Sequence, residues 1–284
     1  MIVVDNPKGR YGNAIFRYLA SSLFCISYNA ERKYEEHFYD TVITDEFFNE
    51  WMKSILQKNE VIPLNTAWKC YFDGYFQHDA IYKKYRAELI EHIKNNPSDN
   101  LITDGYKPGG SGIYHYNVAI YKSIDLLIPT NNTNIVRQYD IVLHLRLEDF
   151  VFVNQLIHPS NIDTVLENYK DKQICFVMNQ PTTSFEHRYI NFFKNKYNII
   201  CESNDPITDY HIIKNAKILI SSRSTLCWAA SFFSDTLETV YFPNCIHTNC
   251  MNETFTKPIE NTILYNISLA SEGEVNAFFD SIGA

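Results

Sequence analysis

Apolar residues in this chain fall into two alternating patterns. One is a set of short, β-branched runs: Met1-Ile2-Val3-Val4, Ile141-Val142-Leu143, Ile174-Cys175-Phe176-Val177-Met178, Ile199-Ile200-Cys201, Ile218-Leu219-Ile220 and Thr239-Val240-Tyr241-Phe242. Runs that are apolar on both faces suit strands buried within a parallel sheet. The other pattern has helical spacing. Ile15, Phe16, Leu19, Ala20, Leu23 and Phe24 predict a helix over 14–28; Ile81, Tyr85, Leu89 and Ile93 predict another over 80–94, stopping before Asn95-Asn96-Pro97. Further helices are expected near 45–57 and over 161–169, 183–195, 205–215, 225–233 and 272–282. Residues 68–77 read as a strand ending on polar groups, and Thr239–Phe242 as the last strand, before Pro243. Strand–helix alternation through the second half implies a parallel sheet with helices on both faces.

Punctuation divides this pattern. Pro129-Thr130-Asn131-Asn132-Thr133-Asn134 is polar and aperiodic, and is the best interdomain linker. The expected domains are 1–133 and 134–284. The cluster Pro108-Gly109-Gly110-Ser111-Gly112 reads as a loop or hairpin tip, because no helical pattern follows it. A chain of 284 residues has room for two domains of roughly 100–150 residues, each with its own core.

Composition narrows the function classes. Hydrophobic content of 45% and charged content of 20% are ordinary for a folded soluble protein. A net charge of −8 argues against a general binder of nucleic acid or anionic membranes, so any anion site must be local. No run approaches the roughly 20 apolar residues of a membrane span, and the N-terminus lacks the basic and apolar regions of a signal peptide. The seven cysteines are scattered, with no C-x-x-C pair. Reduced thiols and a cytoplasmic location are expected. Cys245, His247 and Cys250 lie close together, but no second ligand pair has matching spacing, so no metal site is assigned.

Candidate chemistry gathers where strands end. Ile141-Val142-Leu143 runs into His144-Leu145-Arg146-Leu147-Glu148-Asp149-Phe150. Ligands of open α/β sheets bind outside the carboxyl ends of strands, and a guanidinium there offers a planar fork of donors that suits a diphosphate. Ile220 leads into Ser221-Ser222-Arg223-Ser224-Thr225, four hydroxyls and an arginine before a helix. Ser224 or Thr225 can cap that helix, and the rest can hold phosphate oxygens. Gly9-Arg10-Tyr11-Gly12-Asn13 sits between the first strand and its helix: either an anion-binding turn, or a turn in which Gly12 takes an unusual φ and Asn13 caps. Asp73 is a lone carboxylate at a strand end beside Gly74.

Taken together, these stretches resemble the α-1,2-fucosyltransferase family and its wider superfamily of GDP-fucose-using enzymes. Gly9-Arg10-Tyr11-Gly12-Asn13-Ala14-Ile15-Phe16-Arg17-Tyr18 is similar to that family's G-x-x-G-N-x-x-F-x-Y. Gly74-Tyr75-Phe76-Gln77 resembles its G-Y-F-Q segment, residues 144–150 its H-x-R-R-x-D-Y, and Ser221 to Ala230 its N-S-S-F-S-W-W-A-A. Two departures fall in the donor site. Leu147 stands where the family has a second Arg, and Arg223 is an addition that either replaces the missing charge or faces solvent.

The resemblance implies an α/β protein of the GT-B type, two Rossmann-like domains facing a central cleft, with the donor nucleotide held mainly by the second. It implies a metal-independent, inverting glycosyltransferase that moves a sugar, fucose from GDP-fucose first of all, to a hydroxyl of an oligosaccharide or glycan acceptor. No cofactor is implied beyond the nucleotide-sugar co-substrate. Arg146 would neutralise the leaving diphosphate, with Asp149 orienting it. Gly12, Asn13, His144, Ser222, Arg223, Ser224 and Thr225 would complete the donor site. Asp73 is the expected base, ahead of His78 and His115, and Tyr75, Gln77 and His78 the expected acceptor-binding residues. A UDP- or GDP-pentose donor (xylosyltransferase-like) and a non-catalytic carbohydrate-binding protein are the alternatives.

Overall fold

The computed structural model describes residues 1–5, 11–34, 38–96, 101–104, 107–108, 114–115, 119–122, 127–128, 137–244 and 257–283. The chain is an α/β protein that divides into two compact units, Met1–Thr133 and Asn134–Ala284.

The first unit contains β1 (Ile2–Asp5), α1 (Tyr11–Tyr28), β2 (Glu31–Tyr34), β3 (Thr41–Thr44), α2 (Asp45–Lys53), β4 (Lys69–Asp73), α3 (Asp79–Lys84) and α4 (Arg86–Asn95). Its four strands run parallel in the order β2-β1-β4-β3. Alternation along β4 buries Cys70 and Phe72 while Asp73 is exposed. On the buried side Phe24 of α1 meets Trp51 at 4.5 Å and Phe72 edge-on at 5.0 Å, an aromatic core drawn from a chain with 20 Tyr and 19 Phe. Two antiparallel pairs follow, β5 (Leu101–Asp104) with β8 (Ala119–Lys122) and β6 (Lys107–Pro108) with β7 (Tyr114–His115). The second is the hairpin expected around the glycine cluster; residues 109–113 lie outside the described residues.

The second unit carries β9 (Ile141–Leu145), α5 (Glu148–Phe152), β10 (Leu156–Ile157), α6 (Pro159–Leu166), β11 (Gln173–Met178), α7 (Ser184–Lys194), β12 (Asn198–Glu202) and α8 (Pro206–Lys214). Then come β13 (Ile218–Ile220), α9 (Thr225–Phe232), β14 (Thr239–Asn244), β15 (Thr262–Asn266), β16 (Leu269–Ala270) and α10 (Glu272–Ile282). Six strands form one parallel sheet, in the order β12-β11-β9-β13-β14-β15. Numbered within the sheet, that is 3-2-1-4-5-6, the doubly wound arrangement. Val142 of β9 is fully buried, as a central strand requires. Local signals set the helix starts: Thr183 and Glu186 make a reciprocal capping box on α7, as do Ser271 and Glu274 on α10, and Asp205 caps α8.

Several expectations need correcting. The first helix begins at Tyr11, not at residue 14, so Gly12 and Asn13 lie inside its first turn and Asn13 is not its cap. Gly12 does not have positive φ; among the described glycines only Gly283 does. Tyr11 is 3% exposed, and its burial draws the helix back over residues that periodicity alone left in the loop. The helix expected over 80–94 is two helices broken at Tyr85 (φ −108°, ψ 25°). The break lets Tyr82 pack edge-on against Phe16 at 5.9 Å while α4 lies along α1. The strand from Thr239 continues through Pro243 to Asn244, and β15 adds a sixth strand beyond it. The run Thr262 to Asn266 alternates polar and apolar residues and was not among the expected strands.

Candidate active site

The second unit's chain runs from β9 outward to β11 and β12, then returns to place β13 on the other side of β9. The two strands flanking that reversal have diverging connections, which leaves a crevice beyond their carboxyl ends. Both polar stretches singled out in the sequence emerge there, one from each strand. Leu143 pairs with Ile220, so the residues after each strand leave the sheet side by side.

From β9 come His144 and Arg146. Arg146 is gripped by Asp149, Nε donating to Oδ1 at 3.1 Å and Nη2 to Oδ2 at 2.7 Å. Its Cζ lies 4.4 Å from the Phe150 ring centroid. A bidentate carboxylate on one edge and an aromatic face beneath hold the guanidinium plane, and Nη1 has no hydrogen-bond partner among the described residues. The short helix α5 makes this possible, because Asp149 falls one turn beyond Arg146. Leu147, at the position of the missing Arg, is 8% exposed and belongs to the hydrophobic core.

From β13 come Ser221 to Thr225, all buried. The Ser221 N–H donates to Tyr241 O (2.8 Å), and its own carbonyl accepts from the Tyr265 hydroxyl (2.7 Å). The Ser222 N–H donates to His144 O (3.2 Å), and its hydroxyl lies 2.7 Å from His144 Nδ1. Burial, and then the nearby Arg146 charge, push the His144 pKa down to about 3, so this imidazole is neutral at physiological pH. Ser224 occupies the N-cap of α9 without a side-chain cap bond, correcting the expectation that it or Thr225 caps by its hydroxyl.

Arg223 does not face solvent. It is 2% exposed, Nη1 donates to the neutral Gln155 amide at 3.3 Å, and Nε has no partner. Among the described residues that amide is its one hydrogen-bond partner. Burying a guanidinium against one neutral acceptor is unfavourable by several kcal/mol on general grounds. Gln155, whose backbone N–H is held by Phe150 O (3.0 Å), was invisible to sequence reasoning, since no motif marks it.

The first unit holds the other expected residues. Asp73 is exposed at the end of β4, and Tyr75 is 61% exposed. Gln77, 5% exposed, donates from Nε2 to Asn13 Oδ1 at 3.2 Å, joining the β4 exit to the first turn of α1. His78 is 2% exposed, stacks on Phe48 (5.8 Å between centroids), and neither ring nitrogen is hydrogen-bonded. Burial lowers its pKa, opposed by the charges of Asp45 and Asp79. The sequence reading missed Asp45. Its carboxylate accepts the N–H groups of Tyr75 (2.9 Å) and Phe76 (2.6 Å), and a Cβ on Gly74 would lie 2.7 Å from Asp45 Oδ2. Phe76 has φ +50°, a left-handed backbone that costs a bulky residue about 1–2 kcal/mol. Asp45 is the first residue of α2, after its Thr44 N-cap, a position at which an acidic residue carries no signal beyond a helix start.

Arg10 and Gly9, with Cys245, His247 and Cys250, lie outside the described residues. Among the described residues no group of three or more His, Cys, Asp or Glu could hold a metal ion, and no helix is long and apolar enough to cross a membrane.

No family model matches the chain, and no curated protein matches it. Among solved structures, a mutant of Arabidopsis thaliana FUT1 in complex with GDP is similar at 8% identity and TM-score 0.40, over 84% of this chain and 69% of that one. E. coli heptosyltransferase WaaC with ADP is similar at 9% identity and TM-score 0.42, over 99% of each chain. UDP-GlcNAc 2-epimerase from Neisseria meningitidis bound to UDP-GlcNAc is similar at 8% identity and TM-score 0.33, over 85% and 82%. Scores of this size do not define a family.

Two outcomes are expected. Leu147→Arg, which restores the residue of the resembled motif, should destabilise the protein by about 3 kcal/mol in urea unfolding, because it buries a charge in the core. The depressed His144 pKa means that the unfolded chain binds more protons than the folded one between pH about 3 and 6.5. Its contribution is therefore present above pH 6.5 and lost as pH falls toward 3. Asp209, raised to about 7 by burial, acts with the opposite sign, its contribution being lost as pH rises through 7. His144→Asn should then flatten the rise of stability with pH between 4 and 6.5, as read by urea midpoints against the parent.

Proposed function

We propose that this chain is a nucleotide-sugar-dependent glycosyltransferase of the GT-B type, with its donor diphosphate bound at the chain reversal of the second unit. One observation carries the reading: guanidinium groups from the exits of two adjacent central strands, one of them buried without a carboxylate. A nucleoside diphosphate supplies the negative charge that such a pair lacks, in a form that planar donor forks recognise. The hydroxyls of Ser222, Ser224 and Thr225 suit the remaining phosphate oxygens, with Ser222 set in orientation by the neutral His144.

In the reaction, an acceptor hydroxyl attacks the anomeric carbon from the face opposite the nucleotide, and the C–O bond to the diphosphate breaks. The electron pair goes to the diphosphate, where Arg146 stabilises the growing charge in the role that a metal ion plays elsewhere. Asp149 maintains the guanidinium in orientation. Asp73 takes the proton of the attacking hydroxyl, which requires hydrogen-bond reach in the complex. The donor proposed is GDP-fucose, by the resemblance of residues 144–150 and 221–230 to fucosyltransferase motifs, and the acceptor a glycan hydroxyl. Leu147 and Arg223 fall within those same stretches, so the test includes pentose donors.

Incubation with GDP-fucose and with GDP- and UDP-pentoses, and assay of nucleoside diphosphate release, tests the proposal. Release with one donor, persisting in EDTA, is expected; none with any donor would leave only a binding protein. Arg146→Ala should lower turnover by roughly 10²–10³-fold with the fold intact by circular dichroism. Asp73→Asn should keep donor binding and lose transfer; a fully active Asp73→Asn protein clears Asp73 of the role.

A further inference from the structure

The segment that leaves β4 in the first unit is built with more constraint than a connection between a strand and a helix needs. Asp45 fastens two successive N–H groups, at 2.9 and 2.6 Å. Gly74 leaves room for that carboxylate where a Cβ would stand 2.7 Å from it. Phe76, fully buried, is forced to φ +50°, and its carbonyl is pinned by the Tyr82 hydroxyl at 2.6 Å and the His78 N–H at 3.0 Å. Strain of this kind persists only where the surroundings over-determine it, and it concentrates at ligand sites.

What the strain delivers is His78. The imidazole is 98% buried by its 2% exposure, and both ring nitrogens lack a hydrogen-bond partner. A packing role does not need a polar ring: an apolar side chain of similar shape on Phe48 would avoid the loss of hydration. The location is also particular. In the order β2-β1-β4-β3 the exit of β4 lies beside that of β1, where Gln77 is bonded to Asn13.

We propose that Gly74–His78 is a strained hydroxyl-recognition turn, in which His78 pairs with a hydroxyl of a sugar ring and Asp45 is the residue that positions it. This rests on the glycosyltransferase reading for the identity of the ligand, a saccharide acceptor. An imidazole offers one donor and one acceptor, the complement of a sugar hydroxyl. The ring nitrogens are closed to water, so pairing requires the turn to shift, and release of the left-handed Phe76 offsets part of that cost.

The test uses the whole chain with methyl β-galactoside, methyl β-xyloside and methyl α-mannoside as probe acceptors. His78→Phe, with His78→Leu as a second shape, should raise Tm by about 2–4 °C, because an unsatisfied polar group is removed. It should also raise the KM for the effective glycoside at least tenfold, while the donor KM moves less than twofold. Asp45→Ala should raise the acceptor KM similarly, and Asp45→Asn, which keeps one accepting oxygen, should recover part of it. Two results overturn the proposal: loss of stability in both His78 variants, which marks the imidazole as a satisfied structural group, or an unchanged acceptor KM. A parent protein that releases no nucleotide from any donor sinks the glycosyltransferase reading instead, and the stability result then still judges His78.

Discussion

The second unit depends on where a permanent positive charge can be buried. Arg223 is enclosed with one neutral amide as its partner, and Arg146, from the exit of the neighbouring strand, is paired with Asp149. Charge inside a protein is costly unless something of opposite sign meets it, and among the described residues one carboxylate meets the two guanidiniums. The sheet explains why this occurs at one place. Helices cover the faces of a parallel sheet, but at a chain reversal the connections part, and the strand ends there are neither packed nor fully hydrated. His144 fits the same constraint: burial first, and then the charge of Arg146, keep the imidazole neutral, and it lies against the Ser222 hydroxyl.

The first unit solves a related problem by different means. There the polar group is a neutral imidazole, and what holds it is backbone geometry: a carboxylate on two N–H groups, a glycine that admits the carboxylate, and a phenylalanine in a left-handed conformation. Each unit thus places its candidate residues at the exit of a central strand. The second does so with fixed charges and the first with a strained turn.

Much of this was legible in the chain. The strand at Gln173–Met178 and the helix at Glu272–Ile282 match their expected bounds, because runs of apolar residues or a Ser-x-x-Glu box leave little choice. The boundaries that moved did so for tertiary reasons. Tyr11 is helical because its ring is buried, and Tyr85 breaks a continuous helical pattern so that Tyr82 and α4 can each reach their own neighbours. The strand Thr262–Asn266 exists because β14 offers an open edge, which no property of those five residues announces.

The same division holds for the sites. Residue order alone determined that an arginine follows the central strand, that a serine-rich run with a second arginine follows another, and that a carboxylate and a glycine close β4. Those are consequences of local apolar runs giving way to polar groups. Only the tertiary structure decided that Arg223 turns inward, that Leu147 joins the core, and that Gln155 and Asp45 take part. Burial and hydrogen bonding are settled by neighbours far apart in the chain, and a linear pattern does not encode which of its polar residues the fold will enclose.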